Sequence, residues 1–327
     1  MIYLFIFVML FLLEIAYFFI ADKYNIIDKP NQRSSHSDIT LRGGGIIFLI
    51  GAWLYTIFFG IDYIWFIAGL TLVGMVSFID DIRSLPDSFR LVIQFIAMGL
   101  MFYQFGILNW HDWWMVIIAL IVSVGIINAY NFMDGINGIT GGYSIAVLLP
   151  LIYLNQKLQF INPAYLYVTG LSLIVFCFFN FRKKAKCFAG DVGSISIAFI
   201  LLFALGKLIL KTGDVAYLTF LAIYGVDTVL TICHRIQLHE NLGQAHRKHA
   251  FQIMANELRM PHTEVSLFYM MLQIAISFGM IFIPLNNYIY MGIVIALLAL
   301  GYIIFMKKNY HLHEEYLRTK IRSSTNS

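Results

Sequence analysis

Residues 128–142, Asn128-Ala-Tyr-Asn-Phe-Met-Asp-Gly-Ile-Asn-Gly-Ile-Thr-Gly-Gly142, set three Asn, one Asp and four Gly between two long apolar runs. Amides and a carboxylate supply donors and acceptors for phosphate, base or a hydrated metal. Glycine lets the backbone turn tightly or approach a ligand closely. Such residues at a membrane edge are costly unless they line a wet site. The plainer reading is a glycine-rich turn capping the next helix. Asn128, Asn131 and Asp134 recur every third residue, so a helix continued that far carries all three on one face.

Other polar islands bear chemistry of a related kind. Asp80 and Asp81 close an apolar run; acids at a helix C-terminus oppose the dipole, and a nearby cation would relieve them. In Asn180-Phe-Arg-Lys-Lys-Ala-Lys-Cys-Phe-Ala-Gly-Asp-Val-Gly-Ser194, glycines 190 and 193 flank Asp191, which can serve as a helix cap or a metal ligand. The stretch from Asp28 to Gly45 holds Arg33, His36 and Arg42 ahead of three glycines, a pattern suited to anionic oxygens. The plain reading there is a basic anchor with a flexible turn. His246 and His249 enclose Arg247 and Lys248, a grouping that fits a polyanion clamp better than a zinc site. Asp227, Thr231 and His234 share a helix face, and Asp227 reads as structural or as a support for a group at the site rather than as catalytic, with His234 or Arg235 as its partner.

The elements that position these islands are membrane helices. Of 327 residues, 60% are hydrophobic and 12% charged, about half the charge usual in a soluble domain. Apolar runs predict about eleven spans near 2–21, 43–59, 64–80, 89–107, 112–130, 139–155, 163–181, 193–210, 215–233, 263–284 and 288–306. The fold class expected is an all-α polytopic integral membrane protein, with 1–327 as a single transmembrane domain. Segments 22–42, 81–90, 182–192, 234–262 and 307–327 hold 19 of the 22 Lys and Arg residues. The positive-inside rule then puts the N-terminus outside and the C-terminus in the cytoplasm. The tail from Lys307 is expected to be interfacial or loose. Three scattered cysteines argue against a disulfide framework.

Carboxylates and amides beside Arg, Lys and His imply Mg²⁺ or Mn²⁺ and phosphoryl transfer. A site at the membrane edge implies one soluble phosphorylated substrate and one lipid; nothing points to nucleic acid. Two other classes stay open, a transporter of an anionic solute and a membrane phosphotransferase using CDP-activated alcohols.

Asp80-Asp81, Asn128-xx-Asn-xx-Asp-Gly-xx-Gly138, Phe188-Ala-Gly-Asp-Val-Gly-Ser194 and the His246–His249 loop together resemble, in order, the polyprenyl-phosphate N-acetylhexosamine-1-phosphate transferases, which belong to glycosyltransferase family 4. Within them the chain looks most similar to the branch that starts O-antigen, teichoic or capsular glycans. The resemblance implies transfer of a sugar 1-phosphate, most simply a GlcNAc type, from a UDP-N-acetyl-sugar to undecaprenyl phosphate. The setting implied is the cytoplasmic face of the plasma (inner) membrane, and a homodimer is compatible with it. Asp191 is expected to ligate Mg²⁺, with Asp80 and Asn180 beside it. Either Asp80 or Asp81 would accept a proton or orient the lipid phosphate. His246, Arg247 and His249 would hold the diphosphate, and Asp134 with Asn137 the nucleoside, while Asn128, Asn131 and Arg42 would complete the substrate site. The sequence departs from the family pattern in lacking a third Asp after the pair, in Asn137 where an Asp often stands, and in His-Arg-Lys-His for His-x-His-His.

Overall fold

The computed structural model describes residues 1–28, 39–108, 113–243 and 246–325, with side chains as far as Tyr316. Arg33 and His36 lie outside the described residues. Every expected span is helical: α1 (Ile2–Lys23), α2 (Ile46–Phe59), α3 (Ile64–Ile82), α4 (Asp87–Phe105), α5 (Trp113–Met133), α6 (Ile139–Leu158), α7 (Pro163–Asn180), α8 (Gly190–Thr212), α9 (Ala222–Gln237, after a 3₁₀ turn at Val215–Leu221), α11 (His262–Phe282) and α12 (Asn287–Thr325). A short helix, α10 (Ala250–Asn256), interrupts the longest polar loop.

The chain is a polytopic α-helical membrane protein. Among the described residues nine helical segments are long and apolar enough to cross a membrane. The other two expected spans fall short for different reasons. Helix α2 has 14 residues, about 21 Å of rise against a hydrocarbon core of about 30 Å. Helix α6 opens on Ile-Thr-Gly-Gly, carries Pro150 inside and ends near Asn155 and Lys157, so its apolar stretch is interrupted. The tail is not loose. Helix α12 runs 39 residues, about 58 Å, and so continues well past a membrane-spanning length.

Helix α8 is the centre of the bundle. Its spanning window is 83% buried, against 11% for α12. Small residues allow that centrality. A Cβ on Gly193 would stand 2.6 Å from the Cα of Gly45, so the start of α8 and the approach to α2 touch backbone to backbone.

The polar loops at this end are zipped together. Ile27–Asp28 pairs antiparallel with Thr40–Leu41, and Leu41 bridges in parallel to Cys187. The Phe188 amide donates to the Leu41 carbonyl at 2.8 Å, and the Gly44 amide to the Phe188 carbonyl at 2.9 Å. This short β pairing carries Arg42 across to the start of α8.

Substituting Gly193→Ala should therefore lower the thermal stability of the detergent-solubilised protein by about 1–3 kcal/mol, the usual cost of overpacking. An unchanged melting temperature would show that the two backbones are not in contact.

Candidate active site

Asp81 stands at the end of α3 with its side chain fully buried. Its carboxylate accepts the amides of Asp191 at 2.9 Å and Val192 at 3.0 Å, the first turn of α8. Two orphan donors of that helix are thus satisfied by an acid from another helix. Asp191 sits inside that turn and its side chain caps nothing. Gly190 makes the approach feasible: its φ is +69°, and a Cβ there would fall 2.5 Å from the Asp81 carboxylate.

Two arginines knit the three acids together. Arg42 Nε donates to Asp81 at 2.7 Å and Nη2 lies 3.4 Å from Asp191 Oδ1. Arg90 Nη1 reaches Asp80 at 2.8 Å and the second Asp191 oxygen at 2.9 Å. Asp80 also accepts the Leu85 amide at 2.5 Å, and Asp87 holds the other arm of Arg90. Burial works against the charge of Arg42, but Asp81, Asp191 and Asp28 outweigh it and raise its pKa. Asp191, 14% exposed against 0% for Asp81, is the more open of the two acids.

The Asn-rich turn meets this cluster from the side, but not as one helical face. Helix α5 ends at Met133, so the three-residue spacing breaks before Asp134. Asn128 pairs with Gln94 of α4 at 2.7 Å, Asn131 accepts from the Ser194 hydroxyl of α8 at 2.7 Å, and Asp134 accepts from Thr140 at 2.6 Å. Burial pushes the Asp134 pKa up to about 6, countered by Thr140 and reinforced by nearby Asp191.

Asn137 and Asn180 do not point at the acids. The Asn137 amide donates to the carbonyls of Arg182 at 2.9 Å and Lys183 at 3.2 Å. An Asp at that position would face two carbonyls with no donor. Asn180 accepts the Gly138 amide and donates to the Cys187 carbonyl, each at 2.8 Å. Both amides pin the two loops together.

The histidine loop forms a second group. His249 Nδ1 lies 3.1 Å from Asp227, which also accepts from Tyr269 at 2.8 Å. The partner of Asp227 is therefore His249, not His234; Arg235 instead binds Glu240 and the Asn241 and Leu242 carbonyls. With Nδ1 turned to a carboxylate, Nδ1 donates to Asp227, which fixes the ring and leaves Nε2 facing away from that partner. That Nε2, like His246 Nδ1, has no partner among the described residues. Burial, then the charges of His249, Arg235 and Lys248, push the His246 pKa down to about 3, so it offers a neutral ring. Arg247 is committed to Glu257 at 3.0 Å, and Lys248 to Glu240. The loop abuts the Asn-rich turn, since a Cβ on Gly135 would lie 3.1 Å from the Phe251 ring.

Hard oxygen donors with surplus negative charge suit Mg²⁺ or Mn²⁺. Asp80, Asp81, Asp134 and Asp191 exceed the two arginines by two charges when all are ionised. Among the described residues no three such side chains are arranged to ligate one ion as they stand; the arginines occupy Asp191 on both oxygens. The residues fit a dication in donor type and charge.

The model of glycosyl transferase family 4 matches residues 63–208, which contain Asp80, Asp81, Arg90, the Asn-rich turn and Asp191. Over those residues the chain is similar to glycosyl transferase family 4. It is 26% identical over 258 residues to a probable undecaprenyl-phosphate N-acetylglucosaminyl 1-phosphate transferase of Bacillus subtilis, covering 70% of each. It is 28% identical to an undecaprenyl-phosphate alpha-N-acetylglucosaminyl 1-phosphate transferase of Yersinia pestis, covering 60% of each. A phospho-N-acetylmuramoyl-pentapeptide-transferase of Thermotoga maritima is 27% identical over 48% of this chain and 57% of that one. The chain thus spans less than two thirds of the last two relatives.

Sequence reasoning missed Arg90, which reads as one more inward-facing basic residue. It also missed Asp28, Glu240, Glu257 and His313. For Arg90 the available signal was Asp87 three residues earlier, following an acid pair.

An acid whose folded pKa is raised stabilises the fold fully below its unfolded pKa and loses that contribution as pH climbs through the folded value. For Asp134 the window runs from about 4 to about 6. Asp134→Asn, which can still accept from Thr140, should stabilise EDTA-treated protein by on the order of 1–3 kcal/mol at pH 8, with the gain vanishing near pH 4. A gain of equal size at both pH values would show that charge burial is not its cause.

Proposed function

We propose that this protein transfers an N-acetylhexosamine 1-phosphate, of GlcNAc type, from a UDP-sugar to undecaprenyl phosphate. The products are a lipid-linked diphosphate sugar and UMP. The observation that carries the reading is the joining of Asp80, Asp81 and Asp191 by Arg42 and Arg90 at one end of the bundle. The sequence matches to transferases of this type accord with it.

An oxygen of the lipid phosphate forms a bond to the sugar-bearing phosphorus, and the bond from that phosphorus to the UMP oxygen breaks. UMP leaves with the electron pair. A phosphate monoester has a second pKa near ~6, so the nucleophile is already ionised and no strong base is needed. What the site must supply is relief of repulsion between two anions. Arg42 and Arg90, each 27% exposed or more, can turn from the acids to phosphate oxygens. Asp191 and Asp80 would then hold Mg²⁺, which neutralises phosphate charge when bound. Asp81 keeps the start of α8 in place through its two backbone bonds. His249, its Nδ1 held by Asp227, would meet the donor diphosphate by donating from Nε2–H. Asn131 and Asp134 line the turn between the acids and the histidine loop.

For the acceptor, an apolar cavity of about 520 Å³ lies between α9, α11 and α12, with Asp227, Tyr269 and Tyr302 among its lining residues. Its walls suit an isoprenoid chain, and Asp227 links it to the histidine loop. The distribution of Lys and Arg supports eleven crossings, an N-terminus outside and the site facing the cytoplasm, where nucleotide sugars are made.

Purified protein given UDP-GlcNAc and undecaprenyl phosphate should release UMP only with Mg²⁺ or Mn²⁺, and EDTA should abolish release. Asp191→Asn should slow it at least ~100-fold, as expected for lost transition-state charge stabilisation. Normal turnover in that variant would remove Asp191 from the site.

A further inference from the structure

Helix α12 reaches farther than a crossing requires. His313 stands 26 residues beyond Asn287, about 39 Å along the axis and past a hydrocarbon core of about 30 Å. There it meets Glu257, the residue that closes α10. Glu257 Oε1 accepts from His313 Nδ1 at 2.8 Å and from Arg247 Nη2 at 3.0 Å. The side chains of Glu257 and His313 are each 3% exposed, and that of Arg247 12%. Arg247 also lies 4.5 Å over the Tyr316 ring of the same extension.

We propose that Glu257 and His313 are positioning residues for the nucleotide-sugar loop, with the extension of α12 as the strut that fixes Arg247 and so the flanking His246 and His249. This rests on the transfer reading above. The argument begins with cost. Taking an ion pair out of water is expensive, and apolar side chains of similar volume often hold a fold as well. What a buried, hydrogen-bonded charge group supplies in addition is a defined geometry. The object defined here is Arg247, one residue from His246 and two from His249. The far side of the loop is tied independently, His249 to Asp227 and Lys248 to Glu240. Between these anchors the two histidines keep ring nitrogens that are buried and without a partner among the described residues. A loop braced on both sides holds those nitrogens for a ligand without letting them collapse onto protein groups. Arg247 thereby changes role: its Nη2 is spent on the brace, and it acts on the diphosphate through the placement of its neighbours.

The test uses the full-length enzyme in detergent, with UDP-GlcNAc and undecaprenyl phosphate. His313→Ala should raise KM for UDP-GlcNAc about 10-fold while leaving KM for undecaprenyl phosphate as in the parent, a loss confined to donor binding. His313→Gln, which keeps a side-chain donor for Glu257, should recover most of that loss. An unchanged donor KM in His313→Ala, an equal rise for both substrates, or no recovery in His313→Gln would overturn the proposal. Hydrogen exchange across residues 246–257 tests the brace without catalysis: it should quicken in His313→Ala, and unchanged exchange would refute the strut. If the parent releases no UMP, the transfer reading falls and the exchange result alone decides the brace.

Discussion

One carboxylate fixes the rest of the site. Asp81 ends α3, where the helix dipole already disfavours an anion, and it is fully buried. It is tolerable there because the first turn of α8 aims two backbone amides at it and Arg42 adds a third donor. The negative end of one helix is thereby docked on the positive end of another. That docking requires Gly190, whose backbone conformation and lack of a Cβ leave room for the carboxylate. It also delivers Asp191 to Arg42 and Arg90, with Asp80 alongside. The cluster is partly neutralised at rest by guanidinium groups that phosphates can claim.

Around this joint the polar loops brace one another. The β pairing of Leu41 with Cys187, and the amides of Asn137 and Asn180, hold three loops in register. Phe251 against Gly135 brings the histidine loop onto the Asn-rich turn. The result is a continuous polar floor made from segments far apart in sequence, set on helices whose outer faces are apolar. A lipid phosphate and a nucleotide sugar can meet only where such a floor touches the membrane edge.

Much of this is legible in the sequence, for a physical reason. In a chain this apolar, acids and amides stand out, so Asp80, Asp81, Asp134, Asp191 and the histidine loop are easily singled out, as are the helices between them. Their alliances are less visible. An Asn bonded to a loop carbonyl and an Asn bonded to a ligand look alike, and only the fold shows that Asn137 and Asn180 bind backbone. Arg90 hides among residues that the positive-inside pattern already explains. Glu257 and His313 lie 56 residues apart on elements with no shared periodicity, and a charged tail gives no sign that it is a helix packed onto a loop. Asp227 does find a hydrogen-bond partner as its burial requires, but that partner lies 22 residues on, not beside it.

The most direct test follows the two phosphorus atoms of the donor. UDP-GlcNAc labelled separately at the α and β phosphorus is incubated with purified protein, undecaprenyl phosphate and Mg²⁺, and the products are partitioned between organic and aqueous phases. Attack on the sugar-bearing phosphorus requires the β label to enter the lipid phase and the α label to remain in water as UMP. Both labels leaving together as UDP would mean transfer of the sugar alone, and would contradict a site built to move a phosphoryl group.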